Sequence, residues 1–527
     1  MSRRVVVTVV DAMTAAGDGL GDTYERLLQG GHAFAPVARF DVSAARSCYA
    51  ALREDDPTPA EMILSIAGRI SSVGRSVDVD RAYYAGTPDA APPERPETIR
   101  VGGVTGSAWD RVYTSGCVAA SSALVDAAAA ISSGRADRVL VAAARVIDAP
   151  TFHLFSSGGA MSRDEVTRPM TLARSGMLLG DGAAIIVLEA ADQLSDDKVP
   201  FAELRGWGRA GDGFDSHRPD PDASGMTNAI RAALCNAAIG PDEIDLINMH
   251  GTGTQLGDAA EYRALATVFG ADTIPSAHAP KASVGHLLEA TGLIEAAIAV
   301  ASISSGTLPP SAGVRAEDAT LFGSVLTCRR YRRVTHVLST NFAFGGSNTA
   351  LLFSAWNSDS DRTVDSFEHH EPVVLGRVPP LVPAKPLQHF IASDYPSAVY
   401  DAAQRCLDAV CLTKAQREKI ALLIVAEHGD QNARQAVRER LAQGGRLPPR
   451  LLVQGTPTSA AGIVACTWGL RGSITVLATS AGLDHSCVHE TVTDIATADS
   501  SSAVLVIRYE QRRGSCGTGE AILFSFR

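Results

Sequence analysis

The stretch VYTSGCVAASSALVDAAAAISSG, residues 112–134, decides how the rest of the chain reads. A β-rich run enters through Gly116, Cys117 stands at the turn, and an Ala-rich helix of about four turns leaves. Gly134 is placed to end that helix as a C′ cap. A cysteine at a helix N-terminus meets unpaired N–H groups and the positive end of the macrodipole. Both are expected to lower its thiol pKa and sharpen it as a nucleophile. An isolated cysteine is more often a small buried residue, and Cys235, Cys328, Cys406, Cys411, Cys466, Cys487 and Cys516 are read that way. The strand-Gly-Cys-helix setting reverses the reading for Cys117.

Two segments downstream carry chemistry that fits a thiolate. His250 closes the run IDLIN and opens HGTGT, residues 250–254, followed by Gly257-Asp258 and Glu261. Glycines after a strand-end histidine let a polar ligand approach the backbone, and the hydroxyls of Thr252 and Thr254 can bond an amide-rich arm. Taken alone, His250 is as compatible with a structural role as with a functional one. His286 follows Lys281 and Gly285 and leads into the apolar helix HLLEATGLIEAAIAVASI; alone, it could be a buried histidine satisfied by backbone. A fourth segment, NFAFGGSNTALLF at 341–353, sets Phe344 against Gly345-Gly346 in a tight turn. Those glycines could bring N–H groups to a ligand, and Phe344 could swing as a gate. A thiolate to hold an acyl group and two imidazoles to manage a decarboxylating partner are what Claisen-type condensation of thioesters demands.

Size and composition bound the remaining choices. At 527 residues the chain is too long for one ordinary core. With 46% hydrophobic and 20% charged residues it has the composition of a soluble globular protein. The opening MSRRVVVTVVDAM lacks a cleavage pattern and reads as a first strand, not a signal peptide. No apolar run reaches the roughly 18 residues of a membrane span, so no membrane partner and a cytoplasmic location are expected. A net charge of -11 argues against nonspecific nucleic-acid binding. The nine cysteines contain no CxxC pair, which suggests reduced thiols and no metal framework.

Short Val/Ile-rich runs alternate with Ala-rich helical stretches, the α/β pattern. Residues 356–372 are polar and acidic, and PVVLGRVPPLVPAKP, which starts at Pro372, holds five prolines, so this is the linker candidate. Beyond it the alternation resumes with echoes of the first domain. SGRADRVLVAAARV at 133–146 is answered by ATADSSSAVLVIRYE at 496–510, and GDGAAIIVLE at 180–189 by GEAILFSF at 519–526. A degenerate repeat is the economical account.

In order and spacing these segments resemble the β-ketoacyl synthases, condensing enzymes of the thiolase fold. Cys117 matches the family nucleophile, His250 the HGTGTxxGDxxE histidine, His286 the KxxxGH histidine, and residues 341–348 the NxFGFGGxN loop. FSSGGAMS at 155–162, Arg168-Pro169, Arg174 and Gly180-Asp181-Gly182-Ala183 also match. The resemblance covers residues 1–355, in halves of about 1–195 and 196–355, layered α-β-α-β-α. It implies an acyl-Cys117 intermediate, with His250 and His286 holding a malonyl thioester as carbon dioxide leaves. It also implies oxyanion N–H groups from Cys117 and Phe344, Lys281 paired with Glu261, and Thr252, Thr254, Gly345, Gly346 and Asn341 around the phosphopantetheine arm. The implied partners are an acyl carrier protein or coenzyme A thioesters, and no cofactor is implied beyond that arm.

Departures accompany the matches. Val118 is bulkier than the usual serine or alanine, and Glu289 stands where glycine is expected. The chain is also about twenty residues short before Cys117 relative to the family pattern. SAAGIVACTWGLRGSITVLATSAG at 459–482 resembles that missing stretch, with Ser480 where the cysteine would be. Residues 373–527 thus resemble a truncated, noncatalytic front half. It is expected to dock as an internal pseudo-partner or to accompany a homodimer. Arg111, Arg135, Arg138 and Arg205 are carrier contacts by charge alone. The alternatives are a noncatalytic partner like a chain-length factor, or an acyltransferase or malonyl decarboxylase using Cys117.

Overall fold

The computed structural model describes residues 3–72, 77–87, 92–101, 108–195, 198–358, 371–382, 387, 393–426, 429–478, 485–499, 501–511 and 516–526. Most of the expected linker, and Ser480, lie outside the described residues. The Val/Ile-rich runs form strands buried on both faces, as such runs do when helices cover a sheet. The first unit contributes β1 (Val5–Thr14), β2 (Arg81–Ala85), β3 (Arg111–Tyr113), β4 (Arg138–Arg145) and β5 (Gly182–Ala190). The second contributes β6 (Ala202–Gly211), β7 (Leu246–Asn248), β8 (Ser276–His278), β9 (His336–Ala343) and β10 (Ser347–Ser354). The third contributes β11 (Val373–Leu381), β12 (Ile420–Ala426), β13 (Ile474–Ala478), β14 (Ala503–Glu510) and β15 (Thr518–Ser525).

These fifteen strands form one sheet in the order β8-β7-β9-β10-β6-β1-β5-β4-β2-β3-β13-β12-β14-β15-β11. One five-strand topology occurs three times in it. β1-β5-β4-β2-β3 has two antiparallel pairings followed by two parallel ones. The same sequence of senses recurs in β6-β10-β9-β7-β8 and in β11-β15-β14-β12-β13. Antiparallel pairing of β1 with β6 joins the first two units. Antiparallel pairing of β3 with β13 joins the third unit to the strand that leads into Cys117. At the end of the sheet, β11 pairs among the described residues only with β15, is largely exposed, and carries two register shifts with Pro379-Pro380 beside the second.

Helix α1 (Ala119–Ser132) is buried along its whole length. α2 (Ala149–Ser157) follows β4, α3 (Gln255–Phe269) follows the HGTGT turn, and α4 (Thr291–Ser305) packs on α1. α1 and α4 touch strands of both the first and second units, so they form a central helical layer. A helix that is apolar all round needs such a site. Residues Leu288–Ser305 are long and apolar enough to span a membrane, contrary to the reading that no run is, yet 78% of the segment is buried inside the fold.

In the third unit α5 (Pro457–Trp468) precedes β13, and α6 (His485–Asp499) packs on α1. Charge locks this seam. Asp494 of α6, fully buried, takes Arg111 and Arg135, each at 2.5 Å, with Arg81 at 3.6 Å. Arg209 bridges Asp126 of α1 and Asp499 of α6, both at 2.8 Å. Arg111 and Arg135 are therefore committed to the seam. Arg138 pairs with Glu189, and Arg205 bonds the carbonyl of Ala237. All four have partners within the chain.

Candidate active site

Cys117 lies in a single 3-10 turn, Gly116–Val118, that feeds α1. Gly116 holds φ of 59°, a left-handed conformation that glycine adopts without a Cβ clash. The preceding residues are tied to the third unit. Thr114 N–H donates to the Val476 carbonyl at 2.9 Å, and Val476 N–H to Ser115 Oγ at 2.8 Å. α1 ends at Ser132 with Gly134 left-handed just beyond, as its sequence suggests.

His286 Nε2 stands 3.0 Å from Cys117 Sγ. The Leu288 N–H donates to His286 Nδ1 at 3.1 Å, and Thr291 Oγ1 lies 2.9 Å from the same nitrogen. A backbone N–H can only donate, so Nδ1 is the acceptor and the ring proton sits on Nε2, facing sulfur. Leu288 takes φ of 47° to make this bond, a conformation that costs a side-chain-bearing residue about 1–3 kcal/mol.

His250 follows β7, its ring 5.6 Å from that of His286 and edge-on to it. Its position is fixed through the backbone. The His250 N–H donates to Glu261 Oε1 at 2.7 Å and the Gly251 N–H to Glu261 Oε2 at 2.8 Å, while Lys281 Nζ donates to the His250 carbonyl at 2.6 Å. Lys281 does not pair with Glu261, as the family resemblance implied. Its ionic partner is Glu295 of α4, at 2.7 Å, and Asn341 Nδ2 donates to the other Glu295 oxygen at 2.6 Å. Glu261 is already occupied by two backbone N–H groups and Thr340, which leaves Glu295 to neutralise the buried ammonium. A carboxylate alone in LIEAAIAV was the available signal, since a charge inside an apolar helix needs a partner.

Burial governs the electrostatics. It drives both His250 and His286 well below the usual imidazole range, reinforced by the Lys281 charge, so both rings are neutral. Burial also pushes the Cys117 thiol up to about 12, with the Glu289 carboxylate adding to it. This corrects the expected lowering by the helix terminus. At 8% exposure, desolvation of a thiolate outweighs one helix dipole.

Cys117, His250, His286, Thr252, Thr254 and Phe344 all line one open cavity of about 1050 Å³. The third unit completes its wall with Leu452, Gln454 and Ile463. Thr252 and Thr254 share a hydroxyl contact of 2.9 Å. Gly345, Gly346 and Asn341 are not on the wall, contrary to expectation. A Cβ on Gly345 would meet the Thr458 carbonyl oxygen at 2.2 Å, and one on Gly346 would meet Asp212 at 2.7 Å. These glycines allow the loop to pack closely, and Asn341 supports Glu295 instead of ligand. No cluster able to hold a metal occurs among the described residues.

Residues 110–193 match the family described as Beta-ketoacyl synthase, N-terminal domain, and residues 201–315 match Beta-ketoacyl synthase, C-terminal domain. Residues 110–315 thus carry both β-ketoacyl synthase domains. The chain is 28% identical over 409 residues to 3-oxoacyl-[acyl-carrier-protein] synthase 2 of Coxiella burnetii, an alignment covering 67% of this chain and 98% of that one. Among solved structures it resembles the ishigamide ketosynthase/chain length factor, with a TM-score of 0.60, 25% identity, and coverage of 68% of this chain and all of the other. The PfaC keto synthase-chain length factor aligns with 99% of the chain and 78% of its own length, at a TM-score of 0.76 and 14% identity, a likeness of fold. The fold is thus of the thiolase type, and the curated relatives carry the name 3-oxoacyl-[acyl-carrier-protein] synthase.

Proposed function

We propose that the chain catalyses decarboxylative Claisen condensation in the cytoplasm, in polyketide, specialised-metabolite or fatty-acid-like biosynthesis. Cys117 takes an acyl group from a carrier-protein or coenzyme A thioester. A malonyl thioester then loses carbon dioxide and attacks the acyl carbonyl, giving a β-ketoacyl thioester. The observation that carries this reading is the His286 Nε2–H held 3.0 Å from Cys117 Sγ with the His250 ring alongside, on the wall of one large cavity. Two neutral imidazoles can donate to the malonyl thioester oxygen and stabilise the enolate without first losing charge. The N–H groups of Cys117 and Phe344 would hold the oxyanion of the acyl group under attack. Thr252 and Thr254 line the same cavity, where their hydroxyls would bond a phosphopantetheine arm, and the reaction as written calls on no other cofactor.

The third unit fits the role of an internal partner. It pairs with β3, anchors Thr114 and Ser115, and closes the cavity wall. Incubation with an acyl thioester and a malonyl-carrier thioester, read by intact mass, tests the reaction. A covalent acyl adduct followed by β-ketoacyl product supports it, and Cys117→Ala should abolish both. An adduct without product would indicate plain acyl transfer or decarboxylation, and neither species would indicate a noncatalytic partner.

A further inference from the structure

A second cavity, of about 60 Å³, lies beyond Phe344 and shares Cys117, Ala343 and Phe344 with the first. That is several times the roughly 10–15 Å³ needed by a single water, room for about four or five heavy atoms. Gly455–Thr458 of the third unit also line it, and its volume leaves no room for a long alkyl chain. Leu154, Phe155 and Leu288 give part of its wall an apolar character, but Arg145 and Glu289 place two charges in it. Arg145, the last residue of β4, is 4% exposed and bonds Thr151 Oγ1. Its Nη1 lies 3.7 Å from Glu289 Oε2, and Glu289 is 6% exposed. Glu289 belongs to the short turn between His286 and α4, and its side chain shares the pocket wall with Cys117.

A hydrocarbon chain in this space would keep water from a guanidinium and a carboxylate and return no hydrogen bond. A group bearing O–H or N–H would return one to Glu289, and its own lone pair could accept from Arg145. Resting on the condensation reading above, we propose that this pocket selects the acyl group loaded on Cys117: a short unit carrying a hydrogen-bond donor, recognised by Glu289 and Arg145. Loading exchanges one thioester for another. The bond from Sγ to the acyl carbon forms, the bond to the incoming sulfur breaks, and that thiol leaves with the proton Cys117 gives up.

The test uses the full chain and matched coenzyme A thioesters, with acylation of Cys117 followed by time-resolved intact mass. β-Hydroxybutyryl should load at least about tenfold faster than butyryl, and octanoyl should load more slowly still. Replacing both charges, Arg145→Met with Glu289→Leu, should bring the hydroxyl preference close to unity; the near-isosteric Glu289→Gln should reduce it in part. The wild-type comparison stands even if the double variant does not fold. Octanoyl loading at the β-hydroxybutyryl rate, or a preference unchanged by the double substitution in folded protein, would overturn the inference. Loading without condensation would overturn the reaction proposed above and leave the pocket preference standing. Absence of loading from every thioester would overturn both.

Discussion

At the scale of single residues, the site keeps its reactive groups uncharged until substrate arrives. With the Cys117 thiol pushed up to about 12, the thiolate is a small fraction at neutral pH and grows as pH rises. Iodoacetamide alkylation of Cys117 should therefore accelerate by about tenfold per unit between about pH 6 and pH 9. No break is expected near the ordinary histidine pKa, because both imidazoles stay neutral through that range. A rate that levels off near neutrality would reveal a thiolate-imidazolium pair and contradict this electrostatic picture. Lys281→Met should leave Glu295 buried without its cation and destabilise the fold by about 3–5 kcal/mol in denaturant unfolding. Cys117, His250 and His286 were legible because each sits at a strand or helix end flagged by neighbouring glycines. The partner of Lys281 was not. Glu261 and Glu295 lie on different helices, and only the folded chain decides which one the ammonium reaches.

At the scale of elements, the loop after β9 meets helix α5 through bare backbone. A Cβ on Gly462 would fall 2.7 Å from the Gly345 Cα, and Gly345 has φ of 83°. Gly345→Ala should cost about 1–3 kcal/mol from conformation alone, before its clash with the Thr458 carbonyl is counted, and lower the thermal midpoint accordingly. The sequence showed a Gly-Gly turn but could not say what approached it, because the neighbour lies more than a hundred residues away. Strand and helix positions were easier to read. Buried Val/Ile runs such as RVLVAAA and AAIIVLE have few other uses, and both fall in β4 and β5. β3 has three residues, and nothing in so short a run announces that it pairs with β13.

At the scale of the whole molecule, the echoes between residues 133–146 and 496–510 and between 180–189 and 519–526 fall in equivalent strands, β4 with β14 and β5 with β15. The second unit shares the topology without an echo audible in its residues. Residues 1–355 expressed alone should be insoluble or inactive. Loss of the third unit would uncover the edge of β3 and part Arg111 and Arg135 from Asp494. Full turnover by that fragment in an intact-mass assay would show the third unit to be an ornament. β11 shows what a strand at the open rim of the sheet must solve. The strand equivalent to it, β1, is flanked by a following unit, whereas β11 presents unpaired amides and the side chains of Val373, Val374 and Leu381 to solvent. Open rims of this kind recruit strands from neighbouring molecules, and prolines and irregular register discourage it. Pro379 and Pro380 lie on this rim beside its second register shift, where they would discourage lateral growth of the sheet.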